Sequence, residues 1–415
     1  MCGSHQSMGT SRLPGFYKLT PEERLQKIRE LASLTEEEVE TLRSGGLPLQ
    51  SADKMVENVV GVFPLPLGIA TNFLINGRDY LVPMVTEEPS VVAAASNGAR
   101  MAREGGGFRA RVLGSVMIGQ IHLLGANPQA AERVLAEKKK ILEEADRTNP
   151  TLVQEGGGAR DLEVRKLEGV LVVHLLVDVR DAMGANAVNT MCEAVAPLLE
   201  SVTGGRALLR ILSNLAVHRL AEAEAVIPKE VLGEETVRGI VKATEIARKD
   251  TYRCATHNKG IMNGITAVAL ATGNDTRAVE AGAHSYASLG GYHPLTEWEE
   301  TAEGNLYGRI RLPLAVGTVG GATSHPVARI CRKILGIGTA SELAEVMASV
   351  GLAQNLAALR ALVSEGIQRG HMRLHARALA LAAGATGEEA EEIARRMVEE
   401  GEVTLERARK LRGDA

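Results

Sequence analysis

Several polar side chains crowd residues 256–264, with the sequence THNKGIMNG. If a helix begins near Asn258, Lys259 lies in its first turn, where the helix dipole disfavours a positive charge. A lysine held in such a place often serves a bound anion, or an oxygen that becomes negative during a reaction. An ordinary surface lysine is the alternative, and this stretch leaves it open.

Acidic residues stand at two other predicted helix starts. Glu87 and Glu88 follow an apolar strand and precede Pro89. A carboxylate there either favours the helix start or, if it is buried with a raised pKa, donates a proton. Asp275 follows a glycine and an asparagine, where it serves as an N-cap or takes part in chemistry. Together with Lys259, these acids form a set suited to carbonyl chemistry.

The histidines and cysteines do not form a metal-binding pattern. His371 and His375 have the four-residue spacing that can hold zinc on a helix, but the glutamate of H-E-x-x-H and an evident third ligand are missing. We therefore predict no metal, and a single catalytic or surface histidine. The four cysteines are far apart, which indicates free thiols in a reducing compartment and a cytoplasmic protein.

Glycine-containing turns provide candidate binding loops. Residues 181–186, DAMGAN, follow an apolar strand and open a helix, so free N–H groups and the helix dipole could bind a dinucleotide pyrophosphate. The G-x-G-x-x-G fingerprint is missing, and the surrounding order is not a doubly wound sheet. A tight turn without a ligand is the alternative. Residues 156–158 and 320–321 are further glycine turns, the first of which could be a flexible link.

The elements that must position these residues follow from local signals. Thr20 and Thr35 each begin a capping box, and Asn76-Gly77 between apolar runs predicts a hairpin. Between 112 and 217 the predicted order is β-α-β-β-α-β, a ferredoxin-like unit. Its first strand is predicted over 112–124, its first helix over 128–146, and its second helix over 185–202 with a kink at Pro197. The remainder is mostly helical, so the fold class is α+β.

Composition excludes several classes of protein. The chain of 415 residues has a net charge of -4 and only 3% aromatic residues, which argues against a nucleic-acid partner bound through basic or stacking side chains. We find no apolar run of about 18 residues and predict no membrane span. The 44 glycines indicate places where the backbone approaches something closely.

Nine stretches, taken in order, resemble the class II (bacterial-type) 3-hydroxy-3-methylglutaryl-coenzyme A (HMG-CoA) reductases. They are 57–61 (ENVVG), 87–90, 181–191, 212–215, 256–264, 272–275 (TGND), 320–323, 351–355 and 368–372. The resemblance implies a large, mainly helical substrate-binding domain formed by 1–111 and 218–367. It also implies an inserted, non-Rossmann cofactor-binding domain at 112–217 and a C-terminal helical flap at 368–415.

The resemblance also implies a reaction and four catalytic residues. HMG-CoA and mevalonate plus CoA are interconverted through mevaldyl-CoA and mevaldehyde, with two equivalents of NADH or NADPH. Lys259 polarises the carbonyl oxygen, and Glu88, the acid immediately before Pro89, supplies protons. Asp275 couples the two. His371 protonates the departing CoA thiolate.

Binding residues are implied in the same way. The substrate-binding positions are Ser90, Arg253 and Asn263, and the cofactor-binding positions are Asp181, Met183, Gly184, Asn186, Asn189 and Asn214. Two positions depart from the family pattern. Asn149 stands where NAD-preferring members have an aspartate that repels a 2′-phosphate, so either cofactor remains open. Tyr17, followed by Lys18, stands where some members have an arginine that contacts the CoA nucleotide.

The resemblance further implies a homodimer whose active site lies at the subunit interface, with assembly into hexamers as a further step. A competing hypothesis is a regulatory protein that binds CoA or a nucleotide on the same fold without catalysis. Such a protein would carry a broken catalytic set, whereas Lys259, Glu88, Asp275 and His371 are all present.

Overall fold

Helices and strands alternate along the chain, and the computed structural model describes them over residues 9–364 and 367–413. The strands are β1 (Leu67–Ile75), β2 (Arg78–Val85), β3 (Arg109–Val112), β4 (Val116–Leu124), β5 (Gly158–Leu167), β6 (Val170–Asp178), β7 (Arg206–Ser213), β8 (Leu220–Ile227), β9 (Thr296–Glu300) and β10 (Leu306–Pro313). The longer helices are α1 (Pro21–Ala32), α2 (Glu36–Arg43), α3 (Leu49–Met55), α4 (Val91–Arg103), α5 (Ala130–Ala136), α6 (Lys138–Arg147), α7 (Pro150–Gln154), α8 (Ala185–Thr203), α9 (Lys229–Leu232), α10 (Glu234–Lys249), α11 (Thr251–Ala271), α12 (Thr276–Ala287), α13 (Pro326–Leu335), α14 (Ala340–Val363), α15 (Ile367–Ala382), α16 (Gly387–Glu400) and α17 (Leu405–Arg412).

The local signals are confirmed where they depend on neighbours in the chain. Thr20 and Thr35 each accept a hydrogen bond from the backbone three residues on, and a glutamate bonds back to each cap. Asn76 and Gly77 both have positive φ, 50° and 78°, as a two-residue hairpin turn between β1 and β2 requires. The mixture of helices and sheets confirms the α+β class.

The described chain forms three sheets: β1-β2, β3-β8-β10-β9 and β5-β6-β4-β7. The last is antiparallel, with α8 between β6 and β7, and has the strand order of a ferredoxin-like unit. The strand predicted over 112–124 is confirmed as β4 from Val116 onward, but Val112 belongs to β3, which pairs with β8 in another sheet. The single helix predicted over 128–146 is likewise two, α5 and α6.

Strand β8 was missed because its sequence, LAEAEAVI, is rich in alanine and glutamate, which favour helices. The alternation of alanine and glutamate over 221–225 is a strand signal that this composition obscured. Every second residue is buried beneath the sheet, while Glu222 and Glu224 point to the other face and pair with arginines of β3 and β10.

Helix α14 lies at the centre of the main hydrophobic core and packs against α4 and α11. A Cβ at Gly98 of α4 would lie 2.0 Å from the carbonyl oxygen of Ala353, so only glycine permits this crossing. Among residues 9–364 and 367–413, α14 is the one helix long and apolar enough to cross a membrane. Because 72% of its apolar window is buried inside the fold, it has the surroundings of a core helix.

Buried residues of the β4–β7 unit form a second cluster, and α15–α17 form a third small cluster of their own. The third contains Ala376, Ala380, Ile393 and Met397. The boundaries predicted at 112–217 and 368–415 remain predictions, as does closure of the C-terminal helices as a flap.

Candidate active site

The lysine motif lies in the middle of a helix, so the predicted helix start near Asn258 is wrong. Helix α11 begins eight residues before Lys259, where the side chain of Asp250 accepts a hydrogen bond from the Tyr252 amide. Helix α11 continues through Gly264, which allows a close approach to α14: a Cβ there would lie 2.9 Å from a methyl group of Val350. The helix-dipole argument for Lys259 therefore does not apply.

The folded chain brings Lys259 to Glu88. The ammonium Nζ lies 2.8 Å from Glu88 Oε2, although the residues are 171 positions apart in sequence. Their side chains remain 59% and 37% exposed, and the neighbouring Glu87 is exposed. An ion pair this open contributes only about 0–1 kcal/mol to folding, so stability alone does not explain it.

Glu88 is presented by a tight connection between β2 and α4. Its amide donates to Thr86 Oγ1, and two residues later Ser90 caps α4 with a φ of 76°. This left-handed conformation is uncommon for a residue other than glycine. Ser90 Oγ is buried and, among the described residues, has no hydrogen-bond partner. A buried hydroxyl in a strained turn marks a place where a ligand can supply the missing bond.

Helix α11 carries the other substrate-binding positions. Asn263 follows Lys259 by four residues, which places the two on the same side of the helix. Arg253 lies six residues before the lysine and, like Asn263, is half-buried.

Asp275 acts as the N-cap of α12. Its Oδ1 accepts hydrogen bonds from the amides of Arg277 and Ala278, at 3.0 and 3.1 Å, and also lies 3.2 Å from the Arg277 guanidinium. The capping alternative is thus correct, while coupling to Lys259 stays a prediction. His371 falls within α15, but its side chain lies outside the described residues.

The DAMGAN loop forms a backbone turn into α8. Gly184 caps the helix with a φ of 97°, and a Cβ there would lie 2.5 Å from a methyl group of Val179. Gly184, the N-cap of α8, has no side chain that could bond the amides of the first turn. The amides of this first turn therefore suit an anionic group, such as a dinucleotide phosphate.

The predicted cofactor positions fall into two kinds. Asp181 and Asn189 are anchors: their side chains accept hydrogen bonds from the amides of Ala340 and Leu212 at 2.8 and 2.9 Å. The remaining positions line the turn or lie near it: Met183 is half-buried, Asn186 is exposed, and the Asn214 carbonyl accepts from the Ala216 amide.

At position 149, where this chain departs from the family pattern, the asparagine side chain is held by a local hydrogen bond. Asn149 Oδ1 accepts a hydrogen bond from the Leu152 amide and caps α7. The nearby carboxylate of Asp146 turns inward and accepts from the Ala159 amide at 2.7 Å. Arg147 is 72% exposed beside Glu144. The end of α6 therefore presents an arginine rather than a carboxylate.

Three functional candidates escaped the sequence reasoning. His257, inside the lysine motif, is 1% exposed, and burial lowers its pKa to about 3, so it stays neutral and bonds Thr296. Asn274 and Arg219 are buried and bond main-chain groups around the DAMGAN loop. The sequence offered no signal for Arg219, because its burial appears only in the fold and β8 was not recognised as a strand. In the described chain, no group of three or more histidine, cysteine, aspartate or glutamate side chains could hold a metal ion.

A ferredoxin-like unit and a lysine–glutamate pair in one chain fit an enzyme that reduces a carbonyl group without a Rossmann domain. The family model for hydroxymethylglutaryl-coenzyme A reductase matches residues 20–376. The chain belongs to this family, and the class II resemblance is confirmed.

Individual relatives and solved structures agree with this assignment. The chain is 60% identical over 410 residues to the 3-hydroxy-3-methylglutaryl-coenzyme A reductase of Archaeoglobus fulgidus, covering 97% of this chain and 94% of that protein. A solved reductase from Streptococcus pneumoniae is 43% identical with a TM-score of 0.83, covering 97% and 99% of the two chains. A second structure of the class II enzyme from that organism, bound to NADPH, has a TM-score of 0.81 at 43% identity, over 95% and 99%. The protein is therefore an oxidoreductase that reduces HMG-CoA to mevalonate.

Proposed function

We propose that Lys259 and Glu88 form the catalytic pair of a four-electron reduction. The observation that supports this most is the 2.8 Å contact between their charged groups, beside the unpartnered Ser90 hydroxyl. A reduced nicotinamide cofactor supplies one hydride in each of two steps. Lys259 stabilises the negative charge that develops on the carbonyl oxygen, and Glu88 holds the proton that neutralises it.

In the first step the thioester carbonyl becomes the hemithioacetal mevaldyl-CoA. As its carbon–sulfur bond breaks, the hydroxyl group of this intermediate returns its proton to the Glu88 carboxylate, giving mevaldehyde and a CoA thiolate. We assign protonation of that thiolate to His371, because an unprotonated thiolate would return to the aldehyde. In the second step Lys259 and Glu88 act on the aldehyde oxygen to give mevalonate. Asp275, at the start of α12, is assigned to hold Lys259 in its charged form.

Ser90, Arg253 and Asn263 are the proposed contacts to the carboxylate and carbonyl end of the substrate. Arginine suits a carboxylate because its planar fork donates two parallel hydrogen bonds. The buried Ser90 hydroxyl is the part of this set that most needs a ligand. The experiment that tests the assignment is substitution of Lys259 and Glu88, assayed for consumption of two equivalents of reduced cofactor per HMG-CoA.

For the cofactor, we propose that the DAMGAN loop and α8 bind the dinucleotide and that both NADH and NADPH serve. The amides at the start of α8 fit a phosphate group, and the NADPH-bound relative is 43% identical to this chain. The uncharged Asn149 and the exposed Arg147 offer no electrostatic barrier to a 2′-phosphate.

Asn149→Asp is expected to raise the KM for NADPH by about tenfold, with a smaller effect on NADH, because it places a negative charge beside the 2′-phosphate. Aspartate also caps α7 as well as asparagine does, so the fold should be preserved. Steady-state kinetics with each cofactor measure the effect. Glu132→Gln on α5, whose carboxylate pairs with Lys166 rather than with Arg147, is the charge-changing control and should leave the preference unchanged. An equal KM change for both cofactors would contradict the assignment.

We also propose that the chain acts as a homodimer with the ENVVG stretch at the interface. Residues 55–63 form an apolar surface segment: Val60 is 99% exposed and Phe63 86%, and Met55 and Val56 are about half exposed. Contiguous apolar surface of this kind is typical of protein–protein contacts. The segment lies three residues before β1, whose partner strand β2 ends at Val85, three residues before Glu88.

Val60→Asp combined with Phe63→Asp should convert the assembly to monomers and lower kcat by at least about tenfold, because charges are strongly disfavoured in an interface core. Light scattering after gel filtration measures the mass and also distinguishes a dimer from a hexamer. Leu167→Asp, at the exposed β5–β6 turn, is the matched control. An unchanged mass in the double variant would contradict the proposed interface.

A further inference from the structure

Arg219 is a buried arginine at the junction of the two larger hydrophobic clusters. It is 4% exposed and follows β7, just before β8. Its described hydrogen bonds go to main-chain carbonyl oxygens rather than to a carboxylate. Nη1 donates to Met183 O at 2.8 Å, and Nη2 donates to Ala182 O at 2.8 Å and to Val316 O at 2.6 Å.

These acceptors belong to two separate segments. Ala182 and Met183 lie in the DAMGAN loop, whereas Val316 follows β10 on the other side of the junction. Burial lowers the pKa of Arg219 to about 10, so the guanidinium is still charged at neutral pH. A planar group with five donors can satisfy several carbonyl oxygens at fixed angles, which a lysine cannot do.

The segment after β10 runs beside the DAMGAN loop. Thr318 N donates to Asp181 O at 2.9 Å, and Ala182 forms an isolated parallel bridge with Val319. A Cβ at Gly317 would lie 2.5 Å from the Met183 amide nitrogen, so the two backbones are in direct contact. Any side chain at position 317 would push the loop away.

Gly317 is also held by Asn274, which stands next to the proposed catalytic residue Asp275. Asn274 is 6% exposed and bonds both main-chain groups of Gly317: its Nδ2 donates to Gly317 O at 3.2 Å, and Gly317 N donates to its Oδ1 at 2.8 Å. The next residue is Asp275, at the start of α12. A continuous set of hydrogen bonds thus leads from the DAMGAN loop through 316–318 to the TGND turn.

We propose that Arg219, with Asn274 and Gly317, sets the position of the cofactor loop relative to the catalytic residues, and that Arg219 is a positioning residue for hydride transfer. The inference rests on the proposed cofactor site. Reaction rates depend steeply on the separation of the reacting atoms, and a displacement of 1 Å can cost about a hundredfold in rate. A clamp that acts on loop carbonyls does not occupy the amides at the start of α8.

The test compares Arg219→Met and Arg219→Lys with the unaltered enzyme. We expect Arg219→Met to lower kcat by about 10- to 100-fold, with an unchanged Kd for HMG-CoA and a weaker Kd for the cofactor. The deuterium isotope effect on kcat, measured with cofactor labelled at the transferred position, should rise because hydride transfer becomes slower than product release. Arg219→Lys should be intermediate.

Arg24→Met is the matched control for loss of a guanidinium. Arg24 also donates to a main-chain carbonyl, that of Leu19, and lies in α1, which has no described hydrogen bond to the DAMGAN loop. Gly317→Ala tests the same geometry without removing any hydrogen bond, which covers the case that Arg219→Met does not fold. Its control is Gly308→Ala in β10, where the added Cβ would lie 2.1 Å from the ring of Trp298 in the neighbouring strand β9. Thermal unfolding of all variants reports the purely structural cost.

The proposal is supported if Arg219→Met or Gly317→Ala raises the isotope effect while Arg24→Met and Gly308→Ala do not. Wild-type isotope effects in folded Arg219 and Gly317 variants would overturn it, as would equal changes in the controls. Asn186→Ala distinguishes failure of the positioning role from failure of the proposed cofactor site. If it weakens cofactor binding while the Arg219 and Gly317 variants behave normally, the positioning role alone is wrong. If it leaves cofactor binding unchanged, the cofactor site is wrong and the positioning role falls with it.

Discussion

Lys259→Met is expected to lower kcat for HMG-CoA reduction by at least about 10²–10³-fold, the cost of removing a group that stabilises a developing oxyanion. Methionine keeps the length and the apolar stem of the side chain on α11 but loses the charge. HMG-CoA should still bind, because its proposed contacts at Ser90, Arg253 and Asn263 are unchanged. The measurements are the rate of cofactor oxidation and the Kd for HMG-CoA by calorimetry.

The control for this variant is Lys242→Met in the preceding helix, α10. Lys242 also forms a surface ion pair, with Glu245 at 2.9 Å, so the substitution removes the same charge and a similar contact. Both variants should change the free energy of unfolding by at most about 1 kcal/mol, since exposed ion pairs contribute little. Appreciable activity in Lys259→Met would rule out the proposed role of the lysine.

Glu88→Gln has the second large expected effect. Glutamine has the same shape and can still accept a hydrogen bond from Lys259, but it cannot supply a proton. Loss of a general acid typically costs about 10²–10⁴-fold, and we expect a decrease of that size in kcat. The measurement is the steady-state rate with HMG-CoA and, separately, with mevaldehyde, because the proposed mechanism uses Glu88 in both reductions.

The neighbouring glutamate provides a close control. Glu87→Gln makes the same change of charge one residue away, on a side chain that is exposed and outside the 2.8 Å contact with Lys259. It should retain nearly full activity. If instead Glu87→Gln were inactive and Glu88→Gln active, the catalytic acid would be Glu87, and the ion pair with Lys259 would have another purpose.

Much of the local structure was predictable because its causes lie within a few residues. The capping boxes at Thr20 and Thr35 need only a hydroxyl and a glutamate three positions later. The Asn76-Gly77 turn needs two residues that tolerate positive φ. The predictions that were wrong concern features with distant causes. Strand β8 exists because β3 and β10 flank it, and the chain leaves one sheet for another between β3 and β4.

The same division applies to the active site. The order and spelling of the polar motifs sufficed to name the family and to single out Glu88 and Lys259 as candidates. Those motifs are short continuous runs of residues, so they can be read without a structure. The start of α11 at Thr251, by contrast, depended on an N-cap at Asp250 outside the motif, and the motif alone misplaced it.

The amino-acid sequence of this protein therefore specified its fold class, its family, its hairpin and many of its helix ends, all of which depend on nearby residues or on recognisable runs. Folding was needed to bring Glu88 to Lys259 across 171 residues, and Arg219 to Val316 across 97. Contacts of that kind arise from packing between elements, where burial and hydrogen-bond geometry select partners that have no fixed spacing in the chain. The same packing joins Arg219, Asn274 and Gly317 to the DAMGAN loop through hydrogen bonds and direct backbone contact.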